Sequence, residues 1–396
     1  MITFKEAYQN VLHHTLNLGT DVVPLMNSLN RILAEDIRAD RDFPPFNRAT
    51  KDGIAINYSE LVHTEHKFKI EGEAAAGAPQ QVLKSVENCL EVMTGAVVPE
   101  NTDTVVMYEH ISIVNGTAVI NEKVTKGQNV HCQGSDEKKG AIILSKGTKI
   151  TPAEIGVMAS VGRSKVVVKG NPKICTIATG NELVEVDATP LPHQIRKSNT
   201  LTLEVALQEL AIQATSLHLL DDKKEIFNVL KSALEKNDVL LLSGGVSKGK
   251  FDFIPEVMES LGVENVFHRV AQRPGKPFWF GMHKELNTVI FSFPGNPVST
   301  FANYHVYFLP WLNQSWGLPL QKQFVKLSVD LQITPPLTRF IQVKTDWENG
   351  TLYANPVIEN GSGDLTSLAR ADGFICLEPR DEIYRVGDVV AFIKTK

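Results

Sequence analysis

The chain has 396 residues and a formal net charge of -5. This length is too great for one compact core and predicts roughly two to four domains. The mild negative charge argues against the basic surface that is typical of proteins that bind nucleic acid or anionic membranes. Hydrophobic residues make up 43% and charged residues 21% of the chain, which is ordinary for a globular protein.

The cysteines and the N-terminus restrict the setting further. The 4 cysteines lie far apart and form no CxxC pair, which argues against a zinc site and against a disulfide framework. The N-terminus lacks a basic segment followed by an apolar core, and no run of about 18 apolar residues could cross a bilayer. We therefore expect a cytoplasmic protein without a membrane or nucleic-acid partner.

The spacing of apolar residues predicts the elements in chain order. Residues 3–17 predict a capped helix, and a second helical piece follows from Pro24 to Ala34. Between about residue 43 and residue 136, short alternating runs separated by turns predict a small β domain. Thr151 to Gly162 predicts another short capped helix.

From Lys173 strands alternate with helices, which predicts a mostly parallel sheet covered on both faces. The predicted strands are 173–178, 213–220, 238–244, 266–271, 277–281 and 288–292, and the predicted helices are 199–210, 223–236, 252–262 and 296–312. After residue 317 short strands return, which predicts a small C-terminal β domain.

The stretch LLSGGVSKGKFDF, residues 241–253, ends an apolar strand with glycines, serines and lysines. Ligands of an open parallel sheet bind outside the carboxyl ends of its strands. The glycines allow backbone N–H groups to turn outward, the lysines add positive charge and the serines offer hydroxyl donors. These residues are Gly244, Gly245, Gly249, Lys248, Lys250, Ser243 and Ser247. They predict an anion cradle; the alternative is an ordinary turn in which Asp252 caps the next helix.

Acidic residues follow several of the predicted strands. Glu182 follows the first, Asp221 and Asp222 the second, and Asp252 the third. Because the carboxyl ends of parallel strands meet at one edge, we expect these carboxylates to converge beside the cradle. They would repel a phosphate unless a hard cation lay between them, and Mg²⁺ prefers such oxygen ligands. The sequence therefore predicts a magnesium site, whereas a single acid at a strand end would be explained as a helix cap.

Two proline-containing turns complete the predicted site. In RPGKP the prolines stiffen a turn that carries two cations, Arg273 and Lys276, as an oxyanion clamp requires. In FPGNPVS, Pro294 and Pro297 set a rigid turn into a helix N-terminus, which is a second anion-facing end.

Motifs along nearly the whole chain then occur in a familiar order: FPPFNRATKDGIAI, GEAAAG, MTGAVVPENTDTVVMYE, TGNELVE, SNTLTLEVAL, LSGGVSKGKFDF, RPGKPFWFG, FPGNPVSTF and GSGDLTSLARADGFICLEP. In this order they resemble the molybdopterin molybdenumtransferases, the molybdenum-insertion enzymes of the bacterial MoeA and gephyrin E-domain family. Each motif is weak alone, but the series is specific.

The resemblance implies a multidomain fold of α/β plus β type. Residues 1–42 with 138–170 would form an elongated helical linking region, and residues 43–137 an inserted β domain. Residues 171–317 would form the central α/β molybdopterin-binding domain, similar to the MogA adenylyltransferase, and residues 318–396 a small β-barrel-like domain. Family members are similar homodimers in which the inserted domain of one subunit completes the active site of the other.

The implied activity is that of a transferase. Its substrates would be adenylylated molybdopterin and molybdate; with Mg²⁺ it would cleave the adenylate, insert molybdenum into the dithiolene and release AMP. Molybdopterin adenylyltransferase is the expected pathway partner. The alternatives are a non-catalytic scaffold on the same fold and the adenylyltransferase itself, which is shorter. Whether tungstate can replace molybdate stays open.

The resemblance also assigns residues. The metal-binding acids match Glu182 and Asp252. The positions that contact molybdate match Ser247, Arg273, Lys276, Arg339 and either Ser362 or Ser367, beside the substrate-binding Ser243, Gly244, Gly245, Pro294 and Pro297. Functional positions of the inserted domain match Asp52 and Thr94, and acids that position the substrate match Asp136, Asp221 and Asp222.

The chain departs from the family pattern in several places. The family usually has lysine where Arg273 stands, and different residues at Lys51 and Ile54. Most notably, arginines are usual in the segment where this chain has HCQ, residues 131–133. This change favours the scaffold alternative, whereas Glu182, Asp252 and Lys276 favour the enzyme.

Overall fold

A computed structural model of the chain describes residues 1–246 and 252–396. The described residues form two compact units. The first comprises Met1–Val22, Leu29–Ile32 and Val167–Lys396, and the second comprises Val23–Ser28 and Leu33–Val166. The finer division into four parts stays a prediction. Within the described ranges every helix is too short or too polar to span a bilayer.

The α-helices of the described residues are α1 (Phe4–His13), α2 (Pro152–Ser160), α3 (Asn199–Gln208), α4 (Lys223–Lys236), α5 (Ile254–Ser260), α6 (Pro297–Asn303), α7 (Leu309–Ser315) and α8 (Leu365–Arg370). A π-helical turn, Tyr304–Phe308, joins α6 to α7. Short 3₁₀ turns occur at Leu25–Asn27, Tyr58–Glu60 and Tyr108–His110.

The strands of the N-terminal part are β1 (Thr20–Pro24), β2 (Ile37–Arg38), β3 (Arg48–Ala49), β4 (Gly53–Ile56), β5 (Lys67–Ala74), β6 (Asn88–Val92), β7 (Thr104–Met107), β8 (Ile111–Val114), β9 (Thr117–Ile120), β10 (Val130–His131), β11 (Ile142–Leu144) and β12 (Lys165–Lys169). Those of the central part are β13 (Ile174–Thr179), β14 (Leu183–Val184), β15 (Ile195–Arg196), β16 (Ala214–Leu219), β17 (Val239–Ser243), β18 (Glu264–His268), β19 (Gln272–Arg273), β20 (Trp279–His283) and β21 (Thr288–Phe293). The last are β22 (Gln323–Leu327), β23 (Thr338–Glu348), β24 (Thr351–Pro356), β25 (Gly373–Leu377) and β26 (Val389–Lys394).

The first unit contains a six-stranded sheet in the order β16-β13-β17-β21-β20-β18. Its first four strands are parallel, β20 runs antiparallel to them, and β18, which is antiparallel to β20, runs in their direction again. The predicted mostly parallel sheet is therefore confirmed. Side chains of β17 alternate between two cores: Leu241 packs with α3 and α6 residues, whereas Leu240 packs with α4 and α5 residues. Both faces are therefore covered, as a parallel sheet requires.

The C-terminal strands of the first unit close into a barrel. The order is β23-β24-β22-β26-β25, and β25 pairs again with β23. Closure removes the free edges of this small sheet. The short strand β19 pairs in parallel with the end of β23 outside the closed ring. The predicted barrel-like domain is confirmed.

The N-terminal helix is shorter than predicted. Helix α1 has the expected capping box between Thr3 and Glu6 and buries Ala7 and Val11, but it ends at His13. The second helical piece, residues 24–34, was predicted wrongly. Asn30 has a φ of 64°, in the left-handed region that a helix cannot continue through, and only a 3₁₀ turn forms among these residues.

The second unit contains the six-stranded sheet β7-β4-β6-β5-β9-β8, which confirms the predicted inserted β structure. Its core includes Ile54, Ile56, Phe68 and Val106, which are fully buried. Helix α2 begins after Thr151, whose hydroxyl caps it as predicted.

Candidate active site

The carboxyl ends of the parallel strands meet at one edge of the first unit. The register pairs Ser243 with Ala178 and with Phe293, and Thr179 with Leu219. The next two strands of this sheet along the chain, β16 and β17, lie on opposite sides of β13. This edge is therefore a topological switch point, where loops diverge and leave room for a ligand.

A cleft of about 380 Å³ opens at this edge. Most of the residues predicted to bind substrate or metal in this part of the chain contribute to its wall. They are Glu182, Asp221, Asp252, Ser243, Gly244, Gly245, Pro294 and Pro297. The prediction that the strand ends converge on one crevice is thus borne out by their placement, while their individual roles stay predictions.

The acidic residues divide into two kinds. Glu182, Asp221 and Asp252 line the cleft. Asp222 is the N-cap of α4, where its carboxylate accepts a hydrogen bond from the Glu225 N–H at 2.8 Å. Asp252 is not the N-cap residue of the next helix, because α5 begins at Ile254 and its N-cap residue is Phe253.

The loop after β13 is fixed by hydrogen bonds at Gly180. The Gly180 N–H donates to Leu219 O at 3.1 Å, and the His218 Nε2 lies 2.8 Å from Gly180 O. The next side chain, Asn181, accepts a bond from the Asp221 N–H at 3.0 Å. These bonds join two strand ends and so set the positions of Glu182 and Asp221.

The cradle after β17 differs in part from the prediction. Gly244 and Gly245 have φ angles of 99° and 71°, and a Cβ at Gly244 would lie 2.5 Å from Thr179 Oγ1, so glycine is required there. The Gly244 N–H, however, donates to Phe293 O at 3.1 Å. The prediction that this N–H faces a ligand is therefore wrong, because the neighbouring strand uses it. Ser247, Lys248, Gly249 and Lys250 lie outside the described residues.

The RPGKP turn lies beside the cleft. Pro277 is part of the cleft wall, while Arg273 and Lys276 are exposed and are not among the described residues that line it. Arg273 is paired in register with Arg339 of the barrel strand β23. Burial and the neighbouring charge of Arg273 lower the pKa of Arg339, and Glu359 partly opposes this. The two predicted oxyanion contacts are therefore neighbours.

The second unit holds the other predicted residues. Asp52 accepts hydrogen bonds from Thr94, at 2.6 Å from the N–H and 2.8 Å from the hydroxyl, and these bonds hold the pKa of Asp52 below its ordinary value. Asp136 lies 2.8 Å from His131 Nε2, and His131 Nδ1 lies 3.3 Å from an Arg48 nitrogen. An arginine thus adjoins the segment in which arginines were expected.

Comparison with known proteins identifies the family. Three family models match: the MoeA N-terminal region (domain I and II) at residues 2–162, a probable molybdopterin binding domain at residues 175–314, and the MoeA C-terminal region (domain IV) at residues 325–395. The molybdopterin molybdenumtransferase of Synechocystis sp. is 39% identical over 396 residues, which is 99% of each chain. The chain belongs to the molybdopterin molybdenumtransferase family.

Two further proteins are similar to this chain over nearly its whole length. The molybdopterin molybdenumtransferase of Bacillus subtilis is 33% identical and covers 98% of this chain and 93% of its own. The solved molybdopterin biosynthesis MoeA protein of Pyrococcus horikoshii is 30% identical, with a TM-score of 0.82 and coverage of 100% and 99%. The predicted family and fold are confirmed, and the chain is an enzyme of the transferase class.

The structure separates the two serines between which the sequence left a choice. Ser367 is fully buried; its hydroxyl donates to Asp364 O at 2.6 Å and accepts from Gln342 Nε2 at 2.8 Å. Ser362 instead accepts a bond at 2.8 Å from Asn296, which lines the cleft. Ser362 is therefore the serine that lies beside the cleft.

Polar residues at the start of α3 were not predicted from the sequence. Asn199 donates to Ser243 Oγ at 2.8 Å and to Gly295 O at 2.7 Å, so it ties two strand ends together. Arg196 and Lys197 line the cleft next to it, opposite in charge to the carboxylates. The run RKSN, residues 196–199, overlaps the start of the predicted helix 199–210 and of the motif SNTLTLEVAL, and it is the signal that could have found them.

Proposed function

We propose that this transferase acts in molybdenum cofactor biosynthesis as the molybdenum insertase. It uses adenylylated molybdopterin and molybdate, cleaves the adenylate with Mg²⁺, places molybdenum on the dithiolene sulfurs and releases AMP. The observation that carries this proposal is the cleft itself: three carboxylates at converging strand ends, with two paired arginines beside it.

The residues of the cleft fit Mg²⁺. Glu182 and Asp252 offer hard oxygen ligands, and these two would hold the ion. No group of three or more His, Cys, Asp or Glu side chains among the described residues could enclose a metal. Mg²⁺ does not require such a cage, since it is usually held by one or two carboxylates together with substrate phosphates and water. When bound, it neutralises the charge that develops on a phosphate as the P–O bond to AMP breaks.

The protein's own groups hold the phosphates. Arg196 places positive charge in the cleft, and Lys197, which also lines it, is ion-paired with Glu185. Asn199 keeps Ser243 and Gly295 at a fixed separation by its two hydrogen bonds. Groups fixed before the substrate binds cost no reordering when charge develops.

The oxyanion clamp consists of Arg273, Lys276, Arg339 and Ser362. Burial lowers the pKa of Arg339 in the free protein, and repulsion between its charge and that of Arg273 lowers it further. A dianion such as molybdate between them removes that repulsion and accepts bidentate hydrogen bonds from both guanidinium groups.

The active site is proposed to be shared in a homodimer. In this arrangement Asp52, Thr94 and Asp136 reach the cleft from the inserted domain of a second subunit. Asp52 is ionised and exposed, held in place by Thr94. The adenylylated substrate must be supplied by an adenylyl-transfer reaction, so the pathway partner is an adenylyltransferase.

The decisive experiment measures AMP. Purified protein with adenylylated molybdopterin, Mg²⁺ and molybdate should release AMP in a molybdate-dependent manner. Tight binding of molybdopterin without AMP release under any condition would refute the insertase and support the scaffold. ATP-dependent adenylylation of molybdopterin would instead support the adenylyltransferase alternative.

A further inference from the structure

Three polar side chains, Gln272, Asn303 and Tyr307, lie directly behind the segment that carries Arg273 and Lys276. Each is 0% exposed. Buried polar groups destabilise a protein unless they are hydrogen-bonded, so such a cluster is kept only where its bonds fix something. We call these three residues the buried triad.

The hydrogen bonds of the buried triad have a single consistent direction. Gln272 Nε2 lies 3.0 Å from Pro274 O and 2.9 Å from Asn303 Oδ1. Because a backbone carbonyl can only accept, the Gln272 amide nitrogen must face Pro274. That leaves Gln272 Oε1 as the acceptor for the Tyr307 hydroxyl, which contacts it. The carbonyl of Pro274 thus determines how the whole triad is oriented.

The backbone of the RPGKP turn rests on the triad. Gly275 has a φ of 88°, and a Cβ there would lie 2.5 Å from Asn303 Oδ1 and 2.8 Å from Gln272 Nε2. Only glycine allows this approach. The Lys276 carbonyl accepts from the Val270 N–H at 3.0 Å, so the far end of the turn is also fixed.

The helix behind the turn is adapted to this contact. Asn303 ends α6, and Tyr307 lies in the π-helical turn Tyr304–Phe308 that follows. A π-helical turn inserts a residue into a regular helix and is frequent at functional sites. Here it presents Asn303 and Tyr307 to the same side chain, Gln272.

We propose that Gln272, Asn303 and Tyr307 are positioning residues that hold Arg273 and Lys276 in the geometry that receives molybdate. This deepens the proposed function and rests on it. The triad touches no substrate; it acts through the backbone of residues 273–276. Its effect is to order two flexible cationic side chains at their Cα atoms before the anion arrives.

The test uses one hydroxyl and a matched control. Tyr307→Phe removes the donor to Gln272 Oε1 and nothing else. Tyr304→Phe makes the same change in the same π-helical turn, at a side chain that is 1% exposed and whose hydroxyl has no partner among residues 1–246 and 252–396. Molybdate binding is measured calorimetrically on the full chain at a temperature at which every variant is folded. We expect Tyr307→Phe to weaken it about tenfold, the size of one lost buried hydrogen bond, and Tyr304→Phe to leave it unchanged.

A second readout does not depend on the ligand. Hydrogen exchange of the peptide that contains residues 272–278 should be faster in Tyr307→Phe than in wild type or Tyr304→Phe. Affinity for AMP should be equal in all three, because AMP does not need the clamp. Equal exchange and equal molybdate affinity in the two tyrosine variants would overturn the proposal, as would an equal loss of AMP affinity in Tyr307→Phe.

Arg273→Gln separates this inference from the proposed function. If wild type binds molybdate and Arg273→Gln does not, the clamp is established. The comparison of Tyr307→Phe with Tyr304→Phe then tests the role of the buried triad. If Arg273→Gln binds as wild type does, or if wild type does not bind molybdate, the proposed oxyanion site fails. Exchange in residues 272–278 then still decides whether the triad positions this turn.

Discussion

Arg273 and Arg339 stand opposite each other in the register of two parallel strands, β19 and β23. They belong to different parts of the first unit: Arg273 lies in the turn beside the α/β cleft, and Arg339 lies in the barrel. Burial and, after it, the like charge of Arg273 lower the pKa of Arg339, so both effects disfavour its charged form in the folded protein. Such an arrangement is useful to a protein that binds an anion there.

The first prediction concerns this pair. Arg339→Gln removes one of the two like charges and relieves the burial of a guanidinium group. We expect molybdate affinity to fall by about tenfold or more, since a charge-assisted hydrogen bond is lost, while Tm is unchanged or higher. Calorimetric titration and thermal unfolding measure the two effects, with Arg339→Lys as the variant that retains the charge. A loss of stability that parallels the loss of affinity would contradict this view.

The second prediction concerns the metal. Glu182→Gln and Asp252→Asn should each abolish the Mg²⁺ dependence of AMP release, because each removes a charged ligand from the cleft. Asp222→Asn is the control: it removes a neighbouring charge, but asparagine caps a helix as well as aspartate does. A Mg²⁺ titration of AMP release in the four proteins checks this. An equal shift in Asp222→Asn would mean that overall charge, and not ligation, determines the effect.

The third prediction concerns Asn199. Asn199→Ala removes both bonds that join Ser243 to Gly295, and we expect a loss of about 2 kcal/mol in the free energy of unfolding together with weaker AMP binding. Asn171→Ala is the matched control, since Asn171 donates to Ala211 O at 2.7 Å and is not among the described residues that line the cleft. Urea unfolding and AMP titration distinguish the two. Unchanged AMP affinity in Asn199→Ala would remove this residue from the site.

The fourth prediction concerns the pKa of Asp52. The N–H and hydroxyl of Thr94 lower it, so this stabilisation is complete above the ordinary carboxyl pKa, about 4, and is lost as the pH falls through the folded value. Thr94→Val removes the hydroxyl bond, and the pKa should rise toward its ordinary value. Carbon-detected NMR titration of the aspartate carboxyl groups measures this. Thr50→Val, whose hydroxyl donates to Asn129 O, should leave the titration of Asp52 as it is.

The fifth prediction concerns His305, whose ring contacts that of Phe301 at a tilt and that of Tyr304 edge-to-face. Burial lowers its pKa from 6.5 to about 4. Between these two pH values His305 is protonated in the unfolded chain but not in the folded chain. The free energy of unfolding therefore falls as the pH is lowered. Replacing the imidazole in His305→Phe should flatten this dependence. Urea unfolding at several pH values in this window tests it, and an unchanged slope would show that His305 does not titrate as stated.

The sequence could predict where the site lies because strand ends are local features. The period of apolar residues predicted β13, β17 and β21. The glycines and acids that follow these strands indicated a ligand site at the carboxyl edge of the sheet. It could not distinguish Asp222 from Asp252. Asp222 caps α4 because that helix begins at the next residue, whereas α5 begins two residues after Asp252. Such a difference depends on the exact start of each helix, and element boundaries are the least certain part of a prediction from sequence.

Other parts depended on contacts between distant segments. Asn199 was missed because its partners, Ser243 and Gly295, are 44 and 96 residues away and meet it only through the sheet register. The cradle amide of Gly244 was misassigned for the same reason, since Phe293 on the adjacent strand accepts its hydrogen. The false helix at residues 24–34 had suitable apolar spacing, but the backbone of Asn30 overrode it.

The strand that anchors the clamp turn is contributed late in synthesis. β19 consists of Gln272 and Arg273. Its partner is the barrel strand β23, which begins at Thr338. A nascent chain that has finished the α/β sheet but not the barrel therefore has its acidic cleft without an anchored pair of arginines. The two arginines that we propose to bind the metal oxyanion are therefore brought together only once translation has passed β23.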